Sequence, residues 1–164
     1  QRHFPAINWL SSYSLYPQSL DQWYRDNIAS DFPEVRTEIS TLLQVEAELQ
    51  EIVQLVGSDA LPIDQQLTLE VARMIREFFL QQNAFHDVDT YSDLKLQYDM
   101  ARAILSFQEE AKKAIAGGAQ LEDVVNVPAR TDLMRGRFEK GYGGRISDLV
   151  TEMGKQISAS MEAN

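Results

Sequence analysis

The sequence predicts an all-α chain, a helical bundle built around a central antiparallel helical hairpin. Three observations predict it. Apolar residues recur at three- and four-residue spacings through several long stretches, the period of one buried helix face. No stretch alternates apolar and polar residues as a half-buried strand does, and no internal repeat or low-complexity tract breaks the chain. Proline and glycine fall between the periodic stretches, where they start and stop helices.

The elements follow in order. Pro17 suits a first helical turn, because the donor it lacks is orphaned there anyway, and a short helix is expected from it to about Ala29. Asp31, ahead of Phe32-Pro33, is the expected N-cap of the next helix. From there Val35, Ile39, Leu42, Leu49, Ile52, Val53 and Val56 lie on one face, and Gly57 is placed to stop the helix. Pro62 opens a third helix whose buried face is marked by Leu67, Val71, Met74, Ile75 and Phe78. Two helices on either side of so short a connection must run antiparallel. The tip of this hairpin is Ser58 to Asp64.

Asn83 to Tyr91 loses the helical period and is expected to be a loop. Ser92 or Asp93 would cap a long helix with Leu94, Ala101, Ile104, Leu105, Ala111 and Ile115 inward, ended by Gly117-Gly118. Leu121 to Val125 is short, apolar and open as to type. Another helix is expected from Pro128 to about Phe138, then a flexible break at Gly141, Gly143 and Gly144. Ile146, Leu149, Val150, Met153, Ile157 and Met161 make a last amphipathic helix despite Gly154.

Composition narrows the functional classes. A chain of 164 residues, 44% apolar, has the material for one packed domain. No apolar run approaches the length of a bilayer span, and Gln1-Arg2-His3-Phe4-Pro5 is no signal peptide. With no cysteine, disulfides and thiolate metal sites are excluded. A net charge of −10 repels phosphate backbones and anionic lipid, so neither nucleic acid nor direct membrane contact is expected. The absence of an initial methionine, with apolar Phe4, Ile7 and Trp9 close behind Gln1, reads as a processed or excised chain.

The residues supply no catalytic constellation. A phosphate loop needs glycines followed by Lys-Ser or Lys-Thr, and none is present. The two histidines are His3 and His86. His86-Asp87-Val88-Asp89 has metal-binding atoms, but aspartates in a polar loop more often bond local backbone. Glu46, Glu48 and Glu51 read as a solvated face, since nothing places them in an apolar pocket. Arg135, Arg137, Lys140 and Arg145 around Phe138 and Tyr142 form the one basic aromatic stretch. It reads as a solvated loop, with contact to a nucleic acid or an acidic partner as the alternative. These residues alone describe an acidic helical interaction module.

Long ordered matches add a family. Arg2-His3-Phe4-Pro5-Ala6-Ile7-Asn8-Trp9, with Ser12-Tyr13-Ser14-Leu15-Tyr16, resembles the stretch that leaves the nucleotide-binding domain in catalytic A subunits of archaeal and vacuolar-type (A/V-type) rotary ATP synthases. Leu49-Gln50-Glu51-Ile52-Val53-Gln54-Leu55-Val56-Gly57, Ser58-Asp59-Ala60-Leu61-Pro62, Leu69 to Glu77 and Phe79 to Phe85 are similar to the C-terminal domain of that subunit. The match runs through Val88-Asp89-Thr90-Tyr91 and more loosely to the end. The layout also resembles the C-terminal domain of the F-type beta subunit.

The resemblance implies residues 1–16 as the exit segment of a nucleotide-binding domain and 17–164 as a C-terminal helical bundle. It implies that Phe4 and Phe85 line an adenine pocket, with Gln82 and Ala84 at the ring edge. Flat apolar rings suit adenine, although residue physics alone favours a core role for Phe85. It implies that Ser58, Asp59, Ala60, Leu61, Pro62, Ile63 and Asp64 face the central stalk. Here the loop departs from the F-type pattern, with only Asp59 and Asp64 acidic, which favours apolar and shape contact over charge. The implied cofactor is ATP or ADP, with Mg²⁺ held by the upstream domain. The implied partners are the central-stalk subunits and the non-catalytic B subunit. The implied location is cytoplasmic, peripheral to the cell membrane, in an assembly coupling ATP turnover to proton or sodium transport, in which this piece alone is inactive. A free-standing acidic adaptor or scaffold with no nucleotide role is the alternative.

Overall fold

A computed structural model describes residues 19–85, 91–135 and 145–162, apart from the side chains at 19–21, 79–85 and 91–94. Among these residues the fold is entirely helical. In chain order the helices are α1 (Ser19–Asn27), α2 (Phe32–Val56), α3 (Ile63–Phe85), α4 (Tyr91–Ala116), α5 (Leu121–Val125), α6 (Pro128–Arg135) and α7 (Ile146–Glu162). A single 3-10 turn, Ser58–Ala60, joins α2 to α3. The expected exit segment 1–16, His86 to Asp89, and Arg137, Phe138, Lys140 and Tyr142 lie outside the described residues.

The periodicity maps onto the core. Leu67, Val71, Met74, Ile75 and Phe78 of α3 are all buried, as are Ala101, Ile104, Leu105 and Ala111 of α4, and Ile146, Leu149, Met153 and Ile157 of α7. They join one continuous apolar cluster that also takes in Ile28, Phe32, Val35 and Ile39. The helix α3 packs against α2, α4, α5 and α6, while α7 lies along α4 and α6. Leu121 to Val125, open as to type from sequence, is a five-residue helix that buries Val124.

Glycine stops one helix where its conformation is needed. After Ala116, Ala119 N–H donates to the Ala114 carbonyl at 2.9 Å and Gly118 N–H to Ile115 at 3.0 Å. That reversal puts Gly118 at φ 110, where a Cβ would strain the chain. The start of α6 is closed by a distant helix instead. Ala129 N–H donates to Gln156 Oε1 of α7 at 2.8 Å, satisfying a donor that the first turn cannot.

Three boundaries depart from expectation. The first helix ends at Asn27, and Ile28 and Ala29 N–H both donate to Tyr24 C=O. The third runs on through Asn83 and Ala84 to Phe85, because polar Gln81, Gln82 and Asn83 sit on a helix without any Gly or Pro to stop it. Tyr91 already belongs to α4, so Ser92 and Asp93 fall inside its first turn rather than at its cap. The helix expected from Pro128 begins there, and its expected end at about Phe138 lies outside the described residues.

Asp31 is at the N-cap position of α2 but makes no side-chain cap. Its carboxylate accepts from the Tyr98 hydroxyl at 2.5 Å, and Arg102 stands 3.9 Å away. Tyr98 in turn closes an aromatic stack, with Tyr24 on Phe32 at 4.5 Å and Phe32 against Tyr98 at 6.0 Å. The guanidinium of Arg36, buried, lies 4.5 Å from the Tyr24 ring centre and 4.8 Å from that of Phe32. A competing tertiary bond has thus taken the capping carboxylate, and it ties α1, α2 and α4 together at one end of the bundle.

Burial, and then the hydrogen bond to Asp31, push the Tyr98 hydroxyl up from 10.0 to about 12. Since the folded value is the higher, the stabilisation is complete below about pH 10 and is lost as the pH rises through about 12. Urea unfolding across the alkaline range should show this loss, and Tyr98→Phe should remove the step.

Candidate functional site

Those residues singled out for function that the structure describes lie at the two ends of the α2–α3 hairpin. Its connection is built by backbone bonds. Gly57 N–H donates to the Val53 carbonyl at 2.8 Å and turns the chain with φ 87 and ψ 157. The open space around Gly57 leaves the backbone angle as the reason for glycine. Leu61 N–H donates to Ser58 at 3.1 Å, and the Pro62 carbonyl accepts from Gln65 and Gln66 at 3.0 Å each. The Gln66 side chain donates to the Leu61 carbonyl at 2.8 Å, and Thr68 to that of Asp64 at 3.1 Å. The tip is therefore a hydrogen-bonded corner of fixed shape.

Its seven residues do not all face outward. Ser58, Asp59, Ala60, Pro62, Ile63 and Asp64 are exposed. Leu61 is 6% exposed and anchors the corner from inside. The apolar surface comes instead from the adjoining helix ends, where Ile52 (43%), Leu55 (85%), Val56 (61%) and Ile63 (45%) stand in solvent. Ile52 and Val56 belong to the stripe expected to be buried. The hairpin projects beyond the partners that would cover them. Sequence reasoning passes over Leu55, though its place one residue from that stripe widens the apolar face.

The other end carries the candidate adenine residues. Gln82, Ala84 and Phe85 lie in the last turn of α3, and their side chains, like the whole of Phe4, are outside the described residues. What the backbone supplies is their connection to the tip. With 23 residues and no glycine or proline, α3 is one continuous rod, about 33 Å from Ile63 to Phe85 at 1.5 Å per residue.

An ion pair locks the two legs. Glu46 Oε1 accepts from Arg76 Nε at 2.7 Å and stands 2.7 Å from Nη2. Glu48 and Glu51 are solvated as expected, but Glu46 is buried. Its signal is positional. Ile39, Leu42, Glu46, Leu49 and Val53 make one uninterrupted stripe, so a carboxylate within it needs a cation from another helix. That cation sits 30 residues further on.

Nothing among the described residues is arranged for catalysis. No cluster of three or more potential metal-ligating side chains occurs there, and no described helix is long and apolar enough to cross a membrane.

Comparison with known proteins supplies the context. The protein-family model for the C-terminal domain of V and A type ATP synthase matches residues 21–125. The A subunit of the A-type ATP synthase of Methanosarcina acetivorans is 46% identical over 97% of this chain and 28% of its own length. That of Natronomonas pharaonis is 52% identical over 96% of the chain and 27% of its own. The V-type ATP synthase alpha chain 1 of Clostridium tetani is 52% identical over the same shares. The chain thus spans little more than a quarter of these relatives.

Glu46→Gln keeps the volume but removes the charge facing Arg76. It should destabilise the chain by about 1–3 kcal/mol, read as a lower urea midpoint with an unchanged slope.

Proposed function

The chain belongs to the family of C-terminal domains of V and A type ATP synthases, and from that we propose that it is the helical arm of the ATP-hydrolysing and ATP-synthesising subunit. In this reading one end of α3 senses nucleotide and the other pushes the central stalk, so that ATP turnover drives transport of protons or sodium ions. The observation that carries it is the continuous, glycine-free rod of α3, with the candidate adenine residues at one end and an exposed apolar corner at the other. Family membership also favours this reading over a free-standing acidic adaptor.

The residues fit only part of a nucleotide. Phe85 and Phe4 would stack on adenine, with Gln82 and Ala84 at its edge. The chain has no Gly-Lys-Ser or Gly-Lys-Thr and, among the described residues, no metal cluster. Phosphates and Mg²⁺ would accordingly be held by a nucleotide-binding domain of the same subunit, completed by the neighbouring B subunit. Bound ATP supplies the phosphoryl group that is transferred. This chain's part is to bind the base and convert its presence into a tilt of the hairpin. Alone it should hydrolyse no ATP. The assembled head would sit in the cytoplasm, peripheral to the membrane.

At the tip, the contact to the stalk would rest on Ile52, Leu55, Val56 and Ile63 rather than on charge. Burying apolar surface gives about 25 cal/mol per Å², whereas exposed carboxylates such as Asp59 and Asp64 contribute little when screened. Leu61 would hold the corner in shape without touching the partner.

Two outcomes test this in the assembled complex. Leu55→Asp with Val56→Asp, both at exposed positions, should leave ATP hydrolysis running while ions moved per ATP fall several-fold. Unchanged coupling would sink the lever. Phe85→Ala should weaken nucleotide binding about tenfold, the loss of one base–aromatic stack, as measured by titration with a fluorescent ATP analogue.

A further inference from the structure

Away from the hairpin tip, the feature with chemistry left over is a cavity of about 340 Å³ between α3 and α6, lined by Arg73, Met74, Glu77, Arg130, Thr131, Met134 and Arg135. Three arginines line it, in a chain of net charge −10, with a single lining carboxylate. We propose that this cavity is a binding site for a small, multiply charged oxyanion of the diphosphate class, separate from the candidate adenine residues.

The three cations are held to different degrees. Arg130 is fixed. Its Nη1 donates to the Val125 carbonyl at 2.9 Å, its Nη2 to Glu70 at 3.0 Å, and its guanidinium lies 5.3 Å from the Phe107 ring centre. Burial lowers its pKa from the ordinary arginine value, and Glu70 opposes that shift, so it stays a cation at neutral pH. A preorganised guanidinium loses little freedom when an anion arrives. Arg73 is loosely shared between Glu70 at 3.7 Å and Glu77 at 3.5 Å, and the Glu77 carboxylate is exposed enough to turn to solvent. Arg135, at the exposed end of α6, makes no ion pair among the described residues. It is also the first residue of the basic stretch picked out in the sequence.

Size and lining choose the ligand. The volume lies at the lower end of small-molecule pockets and exceeds what one phosphate fills. Met74 and Met134 give an apolar wall, and Thr131 adds a hydroxyl. A planar fork from each of the two exposed arginines pairs bidentately with phosphate oxygens. Glu77 in the lining and Glu70 behind it offset two of the three cations, leaving a net positive site whose attraction grows with the charge of the anion.

The test titrates the chain with inorganic pyrophosphate at constant ionic strength, followed by amide NMR shifts. Sodium chloride and inorganic phosphate serve as comparison arms. Saturable shifts at millimolar pyrophosphate, confined to residues 73–77 and 130–135, are expected, with weaker binding of phosphate. Arg73→Ala and Arg135→Ala, both at exposed positions that leave the core intact, should each weaken binding about tenfold, the value of a charge-assisted hydrogen-bond pair. The proposal is overturned if no saturable shift appears in the folded chain, if sodium chloride reproduces the shifts, or if both variants bind as the parent does. The Phe85→Ala variant should bind pyrophosphate normally, which keeps this site distinct from the adenine pocket.

Discussion

Everything in this bundle leans on the apolar stripe of α3. Leu67, Val71, Met74, Ile75 and Phe78 are buried at three- and four-residue spacing, and they meet α2 on one side and α4, α5 and α6 on others. Burying such a side chain fully contributes about 1.5–3 kcal/mol, so five in series hold the described part of this helix firmly against its neighbours. Its stiffness is a product of packing more than of intrinsic propensity, because most helical stability in folded proteins comes from burying an amphipathic face. The described stripe runs to Phe78, and the candidate nucleotide residues follow it in sequence.

The hairpin is asymmetric along its length. In its middle, Glu46 and Arg76 fix the register of the two legs, and Leu49, Leu61 and Leu67 are buried on the tip side of that pair. Past them the apolar pattern continues but the cover does not, and Ile52, Leu55 and Val56 face water. A cluster of exposed apolar residues on a rigid corner marks an interaction surface. In the proposed lever a floppy corner would lose force, and the backbone bonds of Gly57, Leu61 and Pro62 stiffen this one.

How much can be read in advance follows from the range of each interaction. The helices and their inward faces are legible because period is a local property, and the stops at Gly57 and Gly118 because a left-handed backbone angle favours glycine. The partners of polar residues are not. Asp31 has the sequence context of a cap and is a ligand of Tyr98, 67 residues away. Glu46 reads as solvated and is buried, although its position within the stripe holds the warning. Arg36 sits likewise on the inward face between Phe32 and Ile39, over two aromatic rings. Leu61 groups with a surface loop by proximity in sequence, and only tertiary packing turns it inward. Polar residues on an apolar face are thus the positions where a one-dimensional reading should look for a distant partner.

A lever of this kind requires α3 to carry movement as a rigid body. Spin labels at Asp64 and Glu77, both exposed, would sit about 20 Å apart along the axis at 1.5 Å per residue. The decisive measurement is their separation in the assembled complex, read by pulsed electron resonance with and without nucleotide. A rigid α3 holds this distance constant while that from Asp64 to a label on the neighbouring subunit changes. A nucleotide-dependent change of several ångströms within α3 would refute the rigid rod.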